Sequence, residues 1–172
     1  MSGDVAPTGD GAPAGTAARS IPVEPAGLPG EYAFAGELAL PRALRESLIE
    51  LCRAGLPNES CGLAAGHPGG IARLYPLTNT AASPVRYEVD PLEQLTAYQA
   101  MADDGLEIVA VYHSHPVTPA RPSVTDIAEA YDPEVAYVIV SFAPEEHSVR
   151  AFSIRDGVVA ELTVVITESD AQ

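Results

Sequence analysis

Apolar residues recur at two spacings along residues 37–166, and each spacing predicts a different kind of element. Spacings of three and four residues predict an amphipathic helix with Pro41 in its first turn and Gly55 at its end. The core face of this helix is predicted to hold Leu44, Leu48, Leu51 and Cys52. Cys52 is therefore expected to be a buried thiol, as free cysteines usually are.

A second helix is predicted over residues 91–105 by clear start and stop signals. Asp90 can cap this helix, Pro91 suits its first position, and Glu93 can reach back to form a capping box. Its buried face is predicted to contain Leu95, Tyr98 and Ala102. A third, shorter helix is indicated over residues 123–131, so two or three helices are expected along the chain.

Short apolar or alternating runs give eight candidate ranges, from which about seven strands are expected. The candidate ranges are 37–40, 61–65, 71–77, 86–89, 107–112, 135–142, 149–154 and 158–166. The last two ranges flank Asp156 and Gly157, a pair that is typical of a tight hairpin turn. Because strands and helices are mixed in order and no repeat is visible, the predicted fold class is α/β or α+β.

Composition divides the chain into one folded region and two tails. Residues 1–32 are rich in Gly, Pro and Ala and lack apolar periodicity, so they are predicted to be disordered. Residues 33–167 are predicted to form a single domain, followed by a short acidic tail at 168–172. No basic, apolar secretory signal is present, and no run approaches the ~18 apolar residues of a membrane span. We therefore expect a soluble cytoplasmic protein without a membrane partner.

The chain is strongly acidic, because 9 Lys and Arg minus 24 Asp and Glu gives a formal charge of −15. A surface of this charge repels phosphate backbones, so nucleic acid is not an expected partner. The two cysteines, Cys52 and Cys61, form neither a C-x-x-C pair nor a disulfide framework, which is typical of a reducing compartment. Composition leaves the oligomeric state open, with a homodimer as one option.

The most distinctive polar cluster follows the predicted strand 107–112. His113 and His115 lie two positions apart, so an extended backbone directs both imidazoles to the same side. Asp126 can add a carboxylate oxygen to the same point. Two neutral imidazoles and one carboxylate are the protein ligands of an open catalytic zinc site. Glu59, further upstream, is a candidate general base.

Each part of this cluster also has an interpretation that needs no metal. Two histidines on a strand can simply pack or face solvent. Ser123 and Asp126 have the spacing of a capping box for the third helix. Glu59 by itself is typical of a solvated surface acid. Taken singly, these residues therefore leave the choice open.

The combination of residues narrows the classes of metal site. A helix start soon after the histidine strand returns Asp126 toward the strand end, and three prolines stiffen the loop between them. A metal-dependent amidohydrolase barrel needs ~250 residues. A zinc deaminase of the H-x-E type needs a cysteine pair that this chain lacks. A cupin-like jelly roll would lack the predicted helices.

The whole pattern is a Glu, then His-Ser-His, seven residues, a Ser, two residues and an Asp. It resembles the motif of the JAMM (MPN-plus) zinc metallopeptidases, and the resemblance covers residues 38–166. Further segments are similar to the compact bacterial branch of that family: 59–62, 79–90 with Ser83, Pro84 and Tyr87, and 122–126. The resemblance implies a JAMM/MPN, cytidine-deaminase-like fold, in which helices flank a curved mixed sheet.

The resemblance also implies a mechanism. Zinc (Zn²⁺) would be held by His113, His115 and Asp126, with water in the fourth position. Glu59 would act as the general base and later protonate the leaving amine, and Ser123 would donate a hydrogen bond to the oxyanion. Cys61 is interpreted as a buried structural thiol, because a fourth protein ligand would close the site.

Members of the compact bacterial branch work with ubiquitin-like sulfur-carrier proteins. The resemblance therefore implies hydrolysis of the amide bond after the C-terminal Gly-Gly of such a carrier, with release of cysteine during cysteine biosynthesis. A second hypothesis is the trimming of a C-terminal extension from a carrier precursor. A third is a metal-free scaffold, although scaffold members usually lack ligands that are all present here.

Overall fold

The computed structural model describes residues 36–144 and 146–168. The helices in this part of the chain are α1 (Arg42–Ala54), α2 (Pro91–Asp103) and α3 (Val124–Glu129). The strands are β1 (Glu37–Pro41), β2 (Cys61–His67), β3 (Gly70–Leu77), β4 (Glu107–His115), β5 (Ala136–Ala143), β6 (Glu146–Arg155) and β7 (Val158–Thr167). The predicted tail 1–32 lies outside the described residues, as do residues 169–172 of the predicted acidic tail.

The strands form one mixed sheet that closes on itself. Its order is β1-β3-β2-β4-β5-β6-β7, and β7 pairs in parallel with β1. The β1–β3 and β4–β5 pairs are also parallel, while the remaining pairs are antiparallel. This arrangement confirms the α+β class and the curved mixed sheet. The closure through β1 and β7 is a feature that the sequence pattern did not predict.

The sheet is packed on both faces. Its inner face forms the main core together with Leu48 and Cys52 of α1. On the outer face, Ala97 and Met101 of α2 pack against Leu63 and Ala65 of β2. Ile127 of α3 contacts a separate outer cluster that includes Val135, Tyr137, Ile139, Phe152 and Ile154. The central strand β4 therefore runs between two packed layers.

Several local predictions hold and others do not. Asp156 and Gly157 both have positive φ, 50° and 77°, as expected of the tight turn between β6 and β7. Pro41, predicted in the first turn of α1, lies one residue before that helix. Leu51, predicted in the core, is 37% exposed. Among the described residues, none of the helices combines the length and apolar character that crossing a membrane requires.

The start of α2 also differs in part from its prediction. Asp90 caps the helix by accepting from the amides of Leu92 and Glu93. The Glu93 carboxylate, predicted to complete a capping box, accepts hydrogen bonds from Thr78 N (3.0 Å) and Thr78 Oγ1 (3.1 Å). Of the predicted buried face, Tyr98 is partly buried where α2 packs on the sheet, but Leu95 and Ala102 are exposed. Ala97 and Met101 are the buried residues of the helix. Packing against Leu63 and Ala65 of β2 accounts for the burial of Ala97 and Met101.

Residues 78–90, which we call the 78–90 loop, connect β3 to α2. The strand predicted at 86–89 is absent from this loop. Its backbone is satisfied locally instead, since Thr80 N donates to Glu88 O at 2.8 Å and the Asn79 side chain bonds Arg86 O and Glu88 N. A side chain that hydrogen-bonds nearby backbone competes with strand pairing, which explains the error.

Candidate metal centre

Strand β4 presents its two histidines to the outer face of the sheet. Alternation along the strand places Tyr112 and Ser114 on the inner side and His113 and His115 on the outer side. Both histidines are buried, at 2% and 5% exposure. Their Nε2 atoms are 3.1 Å apart. The period of the strand alone thus brings two imidazoles to one point.

Asp126 reaches the same point from the first turn of α3. Its Oδ1 lies 3.3 Å from His113 Nε2, and its Oδ2 lies 3.6 Å from His115 Nε2. One ligand atom from each of the three residues lies within 4.8 Å of the others. The structure therefore brings together the three residues that the motif predicted as ligands.

The capping box of α3 is also present. Ser123 Oγ accepts from Asp126 N at 3.1 Å, and Ser123 N donates to Asp126 Oδ2 at 2.6 Å. The capping box and the cluster of possible ligands are thus compatible, because the Asp126 carboxylate accepts a hydrogen bond from the Ser123 amide and also faces the histidines. Since the Ser123 hydroxyl oxygen accepts a hydrogen bond, its own proton is available for another acceptor.

The protonation pattern of the cluster suits a cation. His115 Nδ1 lies 2.9 Å from Pro119 O, and a carbonyl can only accept, so Nδ1 carries the proton and Nε2 of the neutral ring has its lone pair directed at His113. Burial acts to raise the pKa of Asp126, but its interactions with the His113 and His115 side chains prevail and hold that pKa below its usual range. Burial acts to lower the pKa of His115, yet Asp126 and Pro119 O raise it.

His113, His115 and Asp126 together have the donor atoms that a metal ion requires. Two imidazole nitrogens and a carboxylate converge in a geometry that favours positive charge between them. This donor set suits zinc and leaves one coordination position for water. The three residues therefore fit the predicted cofactor.

His113 is oriented differently from His115. Its Nδ1 is buried without a hydrogen-bond partner in the described part of the chain. The ring of Tyr87, from the 78–90 loop, packs against the His113 ring with centroids 5.1 Å apart and planes inclined by 31°. The orientation of His113 therefore depends on ring packing, whereas that of His115 depends on a hydrogen bond.

Glu59 lies just before β2 and is buried, at 7% exposure. The interpretation of Glu59 as a solvated surface acid is therefore wrong. Burial raises the pKa of its carboxyl group, the charges of His113 and His115 act in the opposite direction, and the charge of Asp126 raises it further. These interactions place the carboxyl group within electrostatic range of all three clustered residues. A buried carboxyl group with a raised pKa is suited to proton transfer.

The turn that carries Glu59 is tied to the histidine strand by Ser114. This residue is fully buried; its Oγ accepts from Ser60 N at 2.8 Å, and its own amide donates to Ser60 O at 2.9 Å. Ser114 faces away from the cluster, as the strand period predicts. The sequence did not reveal that Ser60 is its hydrogen-bond partner, because the two residues are 54 positions apart.

The cysteines do not contribute ligand atoms to the cluster. Cys61 is buried, its thiol lies 3.7 Å from Leu77 O, and burial raises its pKa to about 12. Burial likewise raises the pKa of Cys52 to about 12. A thiol with such a pKa stays protonated at neutral pH, whereas a metal ligand must be a thiolate. The geometry thus agrees with the interpretation of Cys61 as a buried thiol.

Comparison with known families identifies the domain. The family model described as prokaryotic homologs of the JAB domain matches residues 41–155, which include β4 and α3. The chain belongs to this family. The match confirms the resemblance to the compact bacterial branch of JAMM-type proteins.

Similar proteins in this family carry names that refer to peptidases. The CysO-cysteine peptidase of Mycobacterium tuberculosis is 39% identical over 128 residues, covering 73% of this chain and 88% of that protein. A probable TtuB-protein conjugate cleaving protease of Thermus thermophilus is 39% identical over 140 residues, covering 81% and 90%. The solution structure of protein DSY2949 from Desulfitobacterium hafniense superposes with a TM-score of 0.70 at 36% identity, covering 77% and 94%.

Proposed function

We propose that this protein is a zinc-dependent peptidase that hydrolyses the amide bond after the C-terminal Gly-Gly of a ubiquitin-like sulfur-carrier protein and releases cysteine. The observation that supports this function best is the convergence of His113 Nε2, His115 Nε2 and the Asp126 carboxylate within electrostatic range of the buried Glu59. The relative from Mycobacterium tuberculosis, named as a CysO-cysteine peptidase, supports the same reaction.

In this proposal, His113, His115 and Asp126 hold the zinc ion. Zinc held there would supply Lewis-acid chemistry, lowering the pKa of water so that a nucleophile would be available at neutral pH. Glu59 would serve as the general base toward the attacking water and as the general acid toward the leaving amine. The Ser123 hydroxyl donates a hydrogen bond to the oxyanion that develops on the scissile carbonyl group.

The expected substrate is an extended C-terminal tail. Tyr87 of the 78–90 loop packs against His113, and residues 116–123 lead from His115 to the Ser123 cap. We place the substrate tail between these two segments. Glycine suits such an approach because it has no side chain to clash. We place the catalytic domain at residues 33–167, outside the tails 1–32 and 168–172, and the reaction in the cytoplasm.

A second candidate function is the removal of a longer C-terminal extension or a conjugated protein from the carrier. The relative from Thermus thermophilus, named as a conjugate cleaving protease, favours this alternative. Both reactions use the same five residues, so the leaving group alone distinguishes them. A metal-free scaffold is less favoured, because all three ligand residues converge.

The decisive experiment combines metal analysis with intact-mass measurement. The purified protein is expected to contain zinc and to remove cysteine from a sulfur-carrier protein that bears a C-terminal Gly-Gly-Cys. A parallel substrate with a longer extension tests the second candidate. No bound zinc and no cleavage of either substrate would refute both peptidase functions.

The matched control is Glu59→Gln, which is expected to keep zinc and lose turnover, because Gln cannot accept the proton. His113→Ala is expected to lose zinc as well as activity. Retained turnover in Glu59→Gln would remove Glu59 from its proposed role while leaving the metal site intact.

A further inference from the structure

Asn79, at the start of the 78–90 loop, uses both ends of its side-chain amide. Its Nδ2 donates to Glu59 O at 2.9 Å and to Arg86 O at 3.1 Å. Its Oδ1 accepts from Ala81 N at 3.0 Å and from Glu88 N at 3.2 Å. Because the two carbonyl groups can only accept and the two amides can only donate, the orientation of this side chain is unambiguous.

The main chain of the turn that carries Glu59 is held on two sides. On the loop side, the Glu59 carbonyl oxygen accepts from Asn79, and the Glu59 amide donates to Ser83 O at 2.8 Å. On the strand side, the adjacent Ser60 is bonded twice to Ser114, which lies between the two histidines. These contacts engage the main chain, which leaves the Glu59 carboxylate to exchange a proton.

The 78–90 loop also carries Tyr87, whose ring covers His113. A single side chain therefore connects the backbone of the proposed base to the loop that packs on a proposed metal ligand. Asn79 lies 20 residues from Glu59 in sequence, so no local pattern accounts for this contact.

We propose that Asn79 is a positioning residue for Glu59. Its carboxamide sets where the Glu59 carboxylate stands relative to the metal centre by holding the Glu59 carbonyl group to the 78–90 loop. The role depends on the proposed function, since Glu59 must be the base for its position to matter. Proton transfer requires hydrogen-bond distance, and a displacement of about 1 Å in an active site can lower the rate about 10²-fold.

The test uses two substitutions at the same position. Asn79→Asp keeps the two accepted hydrogen bonds, but it presents a carboxylate oxygen to Glu59 O and Arg86 O in place of the donor. Asn79→Ala removes all four hydrogen bonds without adding charge. Both variants are expected to keep zinc, to lose about tenfold or more in kcat, and to change KM by less than about threefold, because the substrate-binding surface is retained.

Thr80→Val is the matched control in the same loop. Thr80 Oγ1 donates to Glu88 O at 3.2 Å, so the substitution removes a side-chain hydrogen bond from the loop without touching Glu59. Its kcat is expected to match that of the unmodified protein. An equal fall of kcat in Thr80→Val would overturn the proposal, because loop stability would then be the cause.

Amide hydrogen exchange of residues 58–61 in the zinc-loaded protein gives a readout that does not depend on activity. Exchange in this segment is expected to be faster in Asn79→Asp and Asn79→Ala and unchanged in Thr80→Val. If the unmodified protein cleaves neither substrate, the proposed function fails, and the exchange experiment still decides whether Asn79 holds the turn.

Two further results would overturn the proposal. The first is unchanged kcat in both Asn79 variants of an enzyme that is otherwise active. The second is a loss of kcat that only follows the loss of folded, zinc-loaded protein, measured by thermal unfolding and metal analysis. In that case the amide would stabilise the loop without positioning the base.

Discussion

Ser123 caps α3 and is the proposed hydrogen-bond donor to the oxyanion, and these two tasks would use different atoms of its hydroxyl group. The oxygen accepts from Asp126 N to cap α3, while the proposed oxyanion contact needs the proton. Because capping and donation use different parts of the group, one serine can do both. Its place at the helix start also orients the Asp126 carboxylate toward the histidines.

Substitution of Ser123 is expected to separate these tasks. Ser123→Ala should lower kcat about 10²–10³-fold and reduce the free energy of unfolding by about 1 kcal/mol. Ser123→Gly should lower kcat equally but cost only a few tenths of a kcal/mol, because glycine is tolerated at this cap position. Steady-state kinetics and urea unfolding measure the two effects. Unchanged kcat in Ser123→Gly would contradict the oxyanion role.

Tyr87 is expected to support zinc binding through its ring. Because His113 Nδ1 has no hydrogen-bond partner among the described residues, Tyr87→Leu should weaken zinc binding, by about tenfold or more if the ring acts as an outer-shell partner usually does. Tyr87→Phe keeps the ring and should bind zinc like the unmodified protein. Competition with a chromophoric chelator gives the affinities. Equal affinities for the Leu and Phe variants would refute the supporting role.

Glu59 is expected to destabilise the metal-free protein at neutral pH. Burial raises its pKa in the folded state above the ordinary value of 4.5. Above the folded-state pKa the carboxylate is ionised in both states, so its burial lowers stability; below the unfolded pKa it is protonated in both, and this effect is absent. Glu59→Gln should therefore raise the Tm of the metal-free protein at pH 7, and the gain should disappear below about pH 4.

Thermal unfolding at several pH values, after zinc removal by a chelator, tests this expectation. The difference between the two proteins should grow as the pH rises through the folded-state pKa. A Glu59→Gln variant that is less stable than the unmodified protein at pH 7 would contradict the sign. Stability given up at a buried acid is typical of a functional site.

At the scale of elements, the pairing of β2 with β4 depends on Gly62. A Cβ atom at Gly62 would lie 2.4 Å from Tyr112 Cζ and 2.6 Å from Tyr75 O, closer than real contacts allow. Gly62 is the register partner of Tyr112, and Cys61 is that of His113. The absence of a side chain at this position therefore lets β2 approach the strand that carries the histidines.

Gly62→Ala is expected to destabilise the fold by about 1–3 kcal/mol, because either the Tyr112 ring or the β2 backbone must move. Zinc affinity should fall with it, since Tyr112 precedes His113. Gly70→Ala is the control, because its added Cβ would make only ordinary contacts with Ala39, 3.4 Å from its Cβ and 3.9 Å from its O. Urea unfolding compares the two. Equal stabilities would show that β2 adapts without strain.

At the scale of the whole molecule, β1 closes the sheet. It pairs with β7 over its full length and touches β3 at Ala39. Leu38 and Leu40 project from this strand into the main core. The first and last strands of the domain therefore stabilise each other, and the core that supports the metal centre depends on both.

Leu40→Ala is expected to reduce the free energy of unfolding by about 2–5 kcal/mol, because Leu40 is 0% exposed. Leu51→Ala provides the contrast, with an expected loss below about 1 kcal/mol, because this leucine is already 37% exposed. Chemical denaturation measures both. A larger loss for Leu51→Ala would restore the sequence-based prediction of the core face.

Local patterns predicted most of the elements, because strand alternation, helix spacing and turn residues act over a few positions. The hairpin at Asp156 and Gly157 is one success. The predictions failed where tertiary contacts override the local pattern. Leu51 is exposed although its spacing fits the core face. Residues 86–89 do not pair in the sheet, because the Asn79 side chain hydrogen-bonds to Arg86 O and Glu88 N.

The sequence by itself determined the α+β class and the cluster of His113, His115 and Asp126, because a strand period and a helix cap are local geometry. Only the tertiary structure decided how the sheet closes and where Glu59 stands. Glu59 is held by Asn79 and by the link from Ser60 to Ser114, contacts that span 20 and 54 residues. Hydrophobic periodicity tells which side chains are buried, but it does not tell which distant segment covers them.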